Sequence, residues 1–161
     1  MKKIKRRASK IIQKTPGKLV KVMIFGTFDG LHPGHLDFFR QAKMHGDFLV
    51  VSVARDTMVP QFKGRLPMFD ERERLLLVKS CRFVDKAVLG DKRREDFYLH
   101  IADEAPAVIC LGYDQWATEG EVRENLDKVG LTKTKIIRLK PYRDETHKSS
   151  KMKSAAWRKS T

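Results

Sequence analysis

The residues best suited to chemistry lie in the stretch GTFDGLHPGH, positions 26–35. It holds three glycines spaced four apart and two histidines three apart, directly after the apolar run at 22–25. Glycine lets the backbone approach a ligand closely, and imidazole can donate to a phosphate oxygen and gain a proton near neutral pH. A helix that starts near Pro33 would also direct free N–H groups and a positive dipole end toward an anion. The stretch therefore predicts a phosphate-binding turn.

Other common sites do not fit the spacing. The glycines do not form the G-x-G-x-x-G of dinucleotide folds, and Gly17-Lys18-Leu19 lacks the Ser or Thr that a Walker A loop requires. A metal site at His32 and His35 has no third ligand at a suitable spacing among the other histidines, and no cysteine is near. No serine or cysteine nucleophile with a paired base is evident at the predicted strand ends.

The elements that must position this turn follow from apolar patterning. The predicted strands are 22–25, 48–53, 84–89, 107–111 and 135–139. The predicted helices are 34–43, a segment from the N-cap Asp70 through Val78, 95–104, 119–129 and the basic chain from Ser149 onward. Asp70 and Glu73 have the spacing of a capping box, and Gly130 is a favoured C-cap residue. Continuous apolar strands that alternate with helices predict an α/β fold, a Rossmann-like three-layer α/β/α arrangement with a five-stranded parallel sheet.

The predicted fold also locates the site. In parallel α/β sheets, ligands bind beyond the carboxyl ends of the strands. Four stretches follow strands at that edge: 26–35, 55–65, 112–118 and 140–150. We therefore expect the functional residues there.

Positive charge is concentrated at the two ends of the chain. The net charge is +14, yet the 116 residues between positions 21 and 138 carry a net charge of −1. Residues 1–21 hold nine Lys or Arg and no acid, and residues 138–161 hold eight Lys or Arg and two acids. We expect a flexible basic tail at 1–18 and one domain at 19–161. Such a tail can contact nucleic acid or another anionic surface, and an acid-poor start also occurs in organelle transit peptides, although Ser is not enriched here.

Chain length, apolar content and cysteine positions indicate which class of protein this is. A length of 161 residues with 41% apolar residues suits one globular domain. No apolar run approaches the ~20 residues of a membrane span, and no apolar secretory stretch follows the basic start. Cys81 and Cys110 lack metal-like spacing and stand beside apolar residues, so we expect two buried thiols in a reducing cytoplasm.

At this point the residues show a family resemblance. The pattern G-T-F-D-x-x-H-x-G-H at 26–35 resembles the signature of the nucleotidyltransferase superfamily that includes cytidylyltransferases and FAD synthetases. Lys63-Gly64-Arg65 is similar to the basic loop of glycerol-3-phosphate cytidylyltransferases. Arg74 and Arg82 stand at the positions of that family's helix arginines.

Later segments resemble the archaeal-type FAD synthases within the same superfamily. They are the stretches 111–115, LGYDQ, and 138–142, RLKPY. His147-Lys-Ser-Ser-Lys151 stands where the superfamily has a Ser/Thr pair before its last helix, although Thr146-His147-Lys148 replaces the usual glycine and apolar residue. The resemblance covers roughly residues 20–157 and leaves the basic tail outside.

The resemblance implies an activity. A phosphate oxygen of the acceptor attacks the α-phosphorus of ATP or CTP, and pyrophosphate leaves without a covalent enzyme intermediate. The favoured reaction is FMN adenylyltransfer, and the alternative is cytidylyltransfer to glycerol 3-phosphate or a related polyol phosphate. A non-catalytic nucleotide- or RNA-binding module is a further alternative. The resemblance also implies Mg²⁺ brought with the nucleotide, no protein metal site, and a possible homodimer.

The resemblance assigns roles residue by residue. The implied catalytic residues are His32, His35 and Lys63. The implied nucleotide-binding residues are Gly26, Thr27, Phe28, Pro33, Gly34, Arg65, Asp114, Tyr142, Arg143, Ser149 and Ser150. Structural alternatives stay open for some positions: Asp29 can turn the loop, Asp114 can form an Asx turn, and Arg74 and Arg82 can join an ion network or contact a partner.

Overall fold

The structure is a computed structural model and describes residues 17, 19–115 and 117–142 of the chain. The strands are β1 (Lys21–Gly26), β2 (Phe48–Val53), β3 (Lys86–Leu89), β4 (Val108–Leu111) and β5 (Lys135–Arg138). The helices are α1 (Pro33–Lys43), α2 (Val59–Lys63), α3 (Glu71–Lys79), α4 (Phe97–Glu104) and α5 (Glu119–Lys128), with a 3₁₀ turn at Arg94–Asp96. All strand pairs are parallel, in the order β3-β2-β1-β4-β5.

Helices cover both faces of this sheet. The buried cluster on the α1 and α3 face includes Val22, Ile24, Phe28, Phe39, Val51 and Val78. The cluster on the α4 and α5 face includes Met23, Val50, Ile101, Ile109, Val122 and Leu126. Because successive residues of a strand point to opposite faces, an unbroken apolar strand supplies both clusters. The predicted three-layer α/β/α fold with a five-stranded parallel sheet is confirmed.

The predicted elements differ from the structure mainly at short segments. The third strand begins at Lys86 rather than at 84, and the five-residue helix α2 was not predicted. The capping box of Asp70 and Glu73 is present at the start of α3. Gly130 follows α5 with a φ of 81°, as expected of a residue that ends a helix. The last helix, predicted from 149 onward, lies outside the described residues.

The remaining predictions on composition have mixed outcomes. Cys110 is buried in β4, where burial raises the pKa of its thiol to about 12. Cys81 is only partly buried, because it lies in the turn that follows α3, so the prediction of two buried thiols is wrong for this residue. No helix in the described part of the chain has both the length and the apolar character needed to cross a membrane. The predicted tail at 1–18 lies outside the described residues except for Gly17.

Candidate active site

The turn between β1 and α1 is built around Phe28. The backbone φ of Phe28 is 53° and that of Gly30 is 73°, so both residues are in the left-handed region. The Phe28 side chain is buried and its ring lies against Gly26, where an added Cβ would stand 2.6 Å from the ring Cζ. Gly26 is therefore required by the close approach of this ring, which packs the turn into the core.

The two histidines of the turn lie side by side at the start of α1. Their rings stack with centroids 3.8 Å apart and an interplanar angle of 26°. His32 is the N-cap residue: its Nδ1 accepts from the Gly34 N–H at 3.1 Å, and its carbonyl accepts from the His35 N–H at 2.9 Å. Pro33 has no N–H to offer. The free backbone donors predicted at this helix start are thus taken up by His32, and what the helix offers an anion is its dipole.

His35 is uncharged at neutral pH. Burial, and then the electrostatic effects of His32 and Lys63, lower the pKa of His35 to about 3, although Asp29 acts in the opposite direction. Within the described residues, the Nδ1 of His35 is buried and has no hydrogen-bond partner. Buried polar atoms are nearly always paired in native proteins. The unpaired imidazole nitrogen therefore makes His35 a candidate for contact with a ligand.

Asp29 ties the turn to the segment that precedes α3. Its carboxylate accepts from the Met68 N–H at 3.0 Å and from the Phe69 N–H at 3.1 Å. The residue is 8% exposed. A carboxylate bound to two backbone donors in this way fixes loop geometry, so the contacts support the conformational interpretation of Asp29.

The side chain of Arg74 also holds the turn between β1 and α1 in place. Its side chain is 0% exposed. It donates to the Thr27 carbonyl at 2.6 Å, to the Phe69 carbonyl at 3.0 Å and to the Asp56 carboxylate at 2.6 Å. One carboxylate and two carbonyls satisfy the buried guanidinium, which makes its burial tolerable. Of the alternatives open for Arg74, the internal ion network is the one that the structure supports.

Lys63 and Arg65 reach the turn from the other side. Both line a small cavity together with Thr27 and Asp29. Lys63 is the last residue of α2, and Gly64, with a φ of 66°, ends the helix and redirects the chain toward Arg65. The short helix that the sequence did not reveal is thus what brings this basic pair to the turn.

Arg82, the other helix arginine, lies elsewhere. It is exposed, and its guanidinium stands 5.1 Å from the centroid of the Phe83 ring. This contact lies in the turn after α3, before β3 begins. Among the described residues, Arg82 therefore shows a local cation–π contact rather than a place in the network of Arg74.

The loop after β4 lies beside the turn after β1. Gln115 accepts from the Gly112 N–H at 3.0 Å and donates to the Phe25 carbonyl at 2.8 Å. Arg138 of β5 donates to the carbonyls of Gly112 at 2.9 Å and Gln115 at 3.1 Å. These contacts leave Asp114 exposed at the tip of the loop. The sequence analysis singled out Asp114, whereas Gln115 and Arg138 appeared only as members of the motifs 111–115 and 138–142. Their role in holding the loop was not predicted, because it depends on contacts with carbonyls that the sequence does not reveal.

The segment after β5 is held against α1. Gln41 donates to the Lys140 carbonyl at 3.0 Å and accepts from the Lys140 N–H at 3.2 Å. Tyr142, two residues further on, is partly buried and is the last described residue. The predicted site residues Arg143, Ser149 and Ser150 lie outside the described residues.

Comparison with known proteins gives close relatives of this chain. The FAD synthase of Aciduliprofundum boonei is 47% identical over 126 residues, which cover 78% of this chain and 82% of that protein. The FAD synthase of Thermoplasma volcanium is 38% identical over 135 residues, covering 84% and 92%. The crystal structure of the lipopolysaccharide core biosynthesis protein from Thermoplasma volcanium matches with a TM-score of 0.73 and 39% identity, covering 78% of this chain and 99% of that chain.

More distant structures share the fold alone. Pantoate-beta-alanine ligase from Francisella tularensis matches with a TM-score of 0.55 at 15% identity, over 85% of this chain and 69% of that chain. The family model described as cytidylyltransferase-like matches residues 23–158, which include all of the described strands and helices except the first two residues of β1. On this match, and with relatives that are similar over most of their length, the chain belongs to the cytidylyltransferase-like family.

Proposed function

We propose that this protein is an FAD synthase, an FMN adenylyltransferase. A phosphate oxygen of FMN forms a bond to the α-phosphorus of ATP, and the bond from that phosphorus to the bridging oxygen of pyrophosphate breaks. The observation that carries the proposal is the stacked pair of His32 and His35, with a neutral, unpaired His35 at a strand–helix turn. Relatives named FAD synthase, at 34–47% identity, support FMN as the acceptor.

The two imidazoles act on the charge of the reacting phosphates. Bound triphosphate brings negative charge to His35, which favours its protonated form and lets Nδ1 donate as charge builds around the α-phosphorus. Because the Nδ1 of His32 accepts from Gly34, the neutral His32 ring carries its proton on Nε2, and we assign this N–H to a phosphate oxygen. Both groups are held in place before substrate arrives, so little reorganisation is needed during transfer.

The basic pair after β2 complements the imidazoles. We assign Lys63 to catalysis and Arg65 to phosphate binding, because both line the cavity next to Thr27. Their fixed charge would stabilise the pyrophosphate that leaves. No side chain in this arrangement needs to form a covalent bond with the substrate.

The other nucleotide contacts rest on the family resemblance. We assign the backbone of Thr27 and Phe28 to the nucleotide, Pro33 and Gly34 to the start of α1 whose dipole faces it, and Gly26 to the packing that shapes this turn. The exposed tip at Asp114 is assigned to the nucleoside, together with Tyr142. Arg143, Ser149 and Ser150 are assigned to the phosphates, as proposals that concern residues outside the described part of the chain.

A divalent cation is expected with the nucleotide, as is general for nucleotidyltransferases of this kind. In the described ranges, no group of three or more His, Cys, Asp or Glu side chains could hold a metal ion. The Asp29 carboxylate, the acid of the turn, is bound to backbone N–H groups. These residues do not form a protein cage for the ion, and we propose that Mg²⁺ arrives as part of the ATP complex.

The test is pyrophosphate release in the presence of Mg²⁺, with ATP or CTP crossed against FMN or glycerol 3-phosphate. We expect release with ATP and FMN alone, together with FAD identified by chromatography. Release with CTP and glycerol 3-phosphate would assign the protein to the cytidylyltransferase alternative. Silence in all four reactions, together with salt-sensitive RNA binding, would favour the non-catalytic module. The His35→Ala variant, purified identically, excludes activity from a contaminating enzyme.

Three further properties stay predictions. They are the cytoplasmic location, a homodimer, and the division into a tail at 1–18 and a domain at 19–161. Size-exclusion chromatography with light scattering tests the dimer. A chain that begins at Lys18 should retain FAD synthesis if the domain division is correct, and a loss of activity in this chain would show that the tail is needed.

A further inference from the structure

A polar cluster on the α4 face of the sheet is separate from the residues assigned above. It consists of Ser52 in β2, His100 in α4 and Asp91 in the loop after β3. The Oγ of Ser52 lies 3.1 Å from the Nε2 of His100, and the Nδ1 of His100 lies 3.8 Å from the Oδ2 of Asp91. The second distance is too long for a hydrogen bond. Within the described chain, the Asp91 Oδ2 is buried without any hydrogen-bond partner.

The cluster has the residue types of a hydrolytic triad but not the geometry. Ser52 lies inside β2 between its register partners Phe25 and Val88 and is 4% exposed, so its Oγ cannot reach a substrate. What Ser52 can do is orient the imidazole. When its hydroxyl donates to the Nε2 of His100, the proton of the neutral ring lies on Nδ1 and faces Asp91.

The surroundings place an aromatic surface beside this cluster. Phe25 neighbours Ser52 across the sheet and immediately precedes Gly26, the first residue of the catalytic turn. Its ring is paired with that of Phe97, with centroids 5.0 Å apart, and both rings are only partly buried. Phe97 lies one turn before His100 on α4. His32 and His35 therefore lie at the carboxyl end of the strands on the α1 face of the sheet. At the same end, on the α4 face, the rings of Phe25 and Phe97 lie next to the polar cluster.

The loop that carries Asp91 is anchored. The carbonyl of Gly90 accepts from the Arg55 Nε at 2.8 Å, and Arg55 also pairs with Glu71 of α3 at 2.9 Å. Asp91 is thus held in position next to a fixed backbone. Its Oδ2 is buried, but the side chain as a whole is 35% exposed, so the carboxylate can be reached from solvent. An unpaired buried acceptor costs free energy, so it indicates a partner that the described residues do not supply.

We propose that this cluster, with Phe25 and Phe97, binds the isoalloxazine ring of the acceptor. The inference rests on the proposed FMN adenylyltransferase function and names the acceptor site. The imide edge of a flavin presents an N3–H donor between two carbonyl acceptors. Asp91 accepts from N3–H and His100 Nδ1 donates to an adjacent carbonyl. The planes of the two phenylalanines are inclined by 58°, so the flat apolar ring stacks on one of them and meets the other at its edge. Glycerol 3-phosphate has neither the imide edge nor the ring, so the cluster selects a flavin.

The test combines a variant with a modified acceptor. We would measure FAD formation at saturating ATP while FMN is varied, for the wild type and for Asp91→Ala. The variant should raise the KM for FMN about tenfold, with kcat and the KM for ATP nearly unchanged, because a hydrogen bond to a charged acceptor is lost from binding. FMN methylated at N3 should raise the KM of the wild type similarly, and Asp91→Ala should not distinguish the two acceptors.

Two comparisons keep the result specific. Asp103→Ala removes an exposed carboxylate from the same helix as His100 and should leave every constant unchanged. The comparison of FMN with N3-methyl FMN uses only the wild type, so it does not depend on the folding of a variant. Equal KM values of the wild type for FMN and N3-methyl FMN, or an unchanged KM in Asp91→Ala, would overturn this site while FAD formation still upheld the proposed function. A wild type that makes no FAD from ATP and FMN would overturn both.

Discussion

Buried polar groups are paired at one end of the parallel sheet, whereas two of them have no partner at the other end. At the end where the strands begin, the nearly buried Glu104 accepts from Lys86 and pairs with Lys21. At the end where the strands finish, the Nδ1 of His35 and the Oδ2 of Asp91 are buried without partners in the described part of the chain. Since unpaired buried groups are rare and costly, their location at one end separates the scaffold from the site.

The carboxyl end also contains fully paired groups, and these support the unpaired ones. Arg74 binds the Thr27 carbonyl, and Asp29 binds the backbone of Met68. These contacts hold the turn in the geometry that buries His35. The difference between the two ends fits the role proposed for His35, in which satisfied charges position an imidazole for the substrate.

The largest expected effect comes from the unpaired imidazole. His35→Ala should lower kcat by about 100-fold to 1,000-fold, the cost typical of removing one transition-state donor. The dissociation constant of ATP should change little, because His35 interacts most strongly as charge develops during transfer. Single-turnover FAD formation and calorimetric ATP binding measure the two quantities. His45→Ala, in the exposed turn after α1, is the control, and a normal kcat in His35→Ala would refute the role of His35.

A supporting group should affect stability as well as activity. Arg74→Met keeps an unbranched apolar stem but removes the guanidinium, which leaves the Asp56 Oδ1 and the Thr27 carbonyl without the donor that Arg74 supplies. We expect the free energy of unfolding to fall by about 3 kcal/mol, as when one partner of a buried ion pair is removed. Urea denaturation measures it, and FAD synthesis should fall because the turn loosens. Arg82→Met is the matched control on an exposed arginine, and equal stability of the two variants would show that burial of Arg74 does not matter.

The sequence predicted the fold because the strands carry their own signal. Unbroken apolar runs, the capping box at Asp70 and the glycine after α5 are local features, and each appears in the structure where expected. The short helix α2 escaped because five residues beginning with Val59-Pro60 contain no periodicity to detect. The predicted strands placed the stretch 55–65 at this edge of the sheet, but only the family resemblance singled out Lys63 and Arg65 within it.

The sequence singled out those candidate-site residues that lie close together along the chain. His32 and His35 lie within ten residues of three glycines, so the turn was recognisable. The capping role of His32 was not, because it depends on ring geometry rather than on spacing. The cluster of Ser52, His100 and Asp91 was missed because its members come from three elements, and the loop after β3 was not among the stretches expected to carry function.

At the end of the sheet where the strands begin, we expect a substitution to lower stability less than Arg74→Met does and to leave activity unchanged. Glu104→Gln should lower the free energy of unfolding by about 1 kcal/mol, since its lysine partners are partly exposed to solvent. Chemical denaturation measures this, and kcat for FAD formation should equal that of the wild type. Glu124→Gln, which removes an exposed helix pair with Lys128, is the control. A loss of kcat in Glu104→Gln would remove the distinction between the two ends.

The contribution of Glu104 also has a defined pH range. Burial alone would raise its pKa, but the hydrogen bond from Lys86 and the charges of Lys86 and Lys21 outweigh burial, so the pKa lies below the ordinary value of 4.5. A carboxylate whose pKa is lower in the folded protein than in the unfolded chain stabilises the fold at pH values above the pKa of the unfolded chain. The stability difference between the wild type and Glu104→Gln should therefore disappear only as pH falls below about 4.5.

The last expected change concerns the protonation of His35, and it contrasts with that of Glu104. Because the pKa of His35 is lowered from 6.5 to about 3, the unfolded chain binds a proton that the folded chain rejects over this interval. Stability due to this group is therefore complete above pH 6.5 and is lost as pH falls toward 3. Glu104 begins to lose its contribution only below about 4.5, so the site end of the sheet should weaken first on acidification.

Nuclear magnetic resonance of the imidazole nitrogens measures this protonation directly. Without nucleotide, the His35 signals should stay those of a neutral ring between about pH 5 and pH 8, because both limits lie above a pKa near 3. With a non-hydrolysable ATP analogue, the phosphate charge should raise the pKa of His35 and make the ring titrate within that interval. A ring that is already charged at pH 7 without nucleotide would contradict the assignment. It would mean that the burial which distinguishes the carboxyl end does not keep His35 neutral, and that its unpaired nitrogen has another explanation.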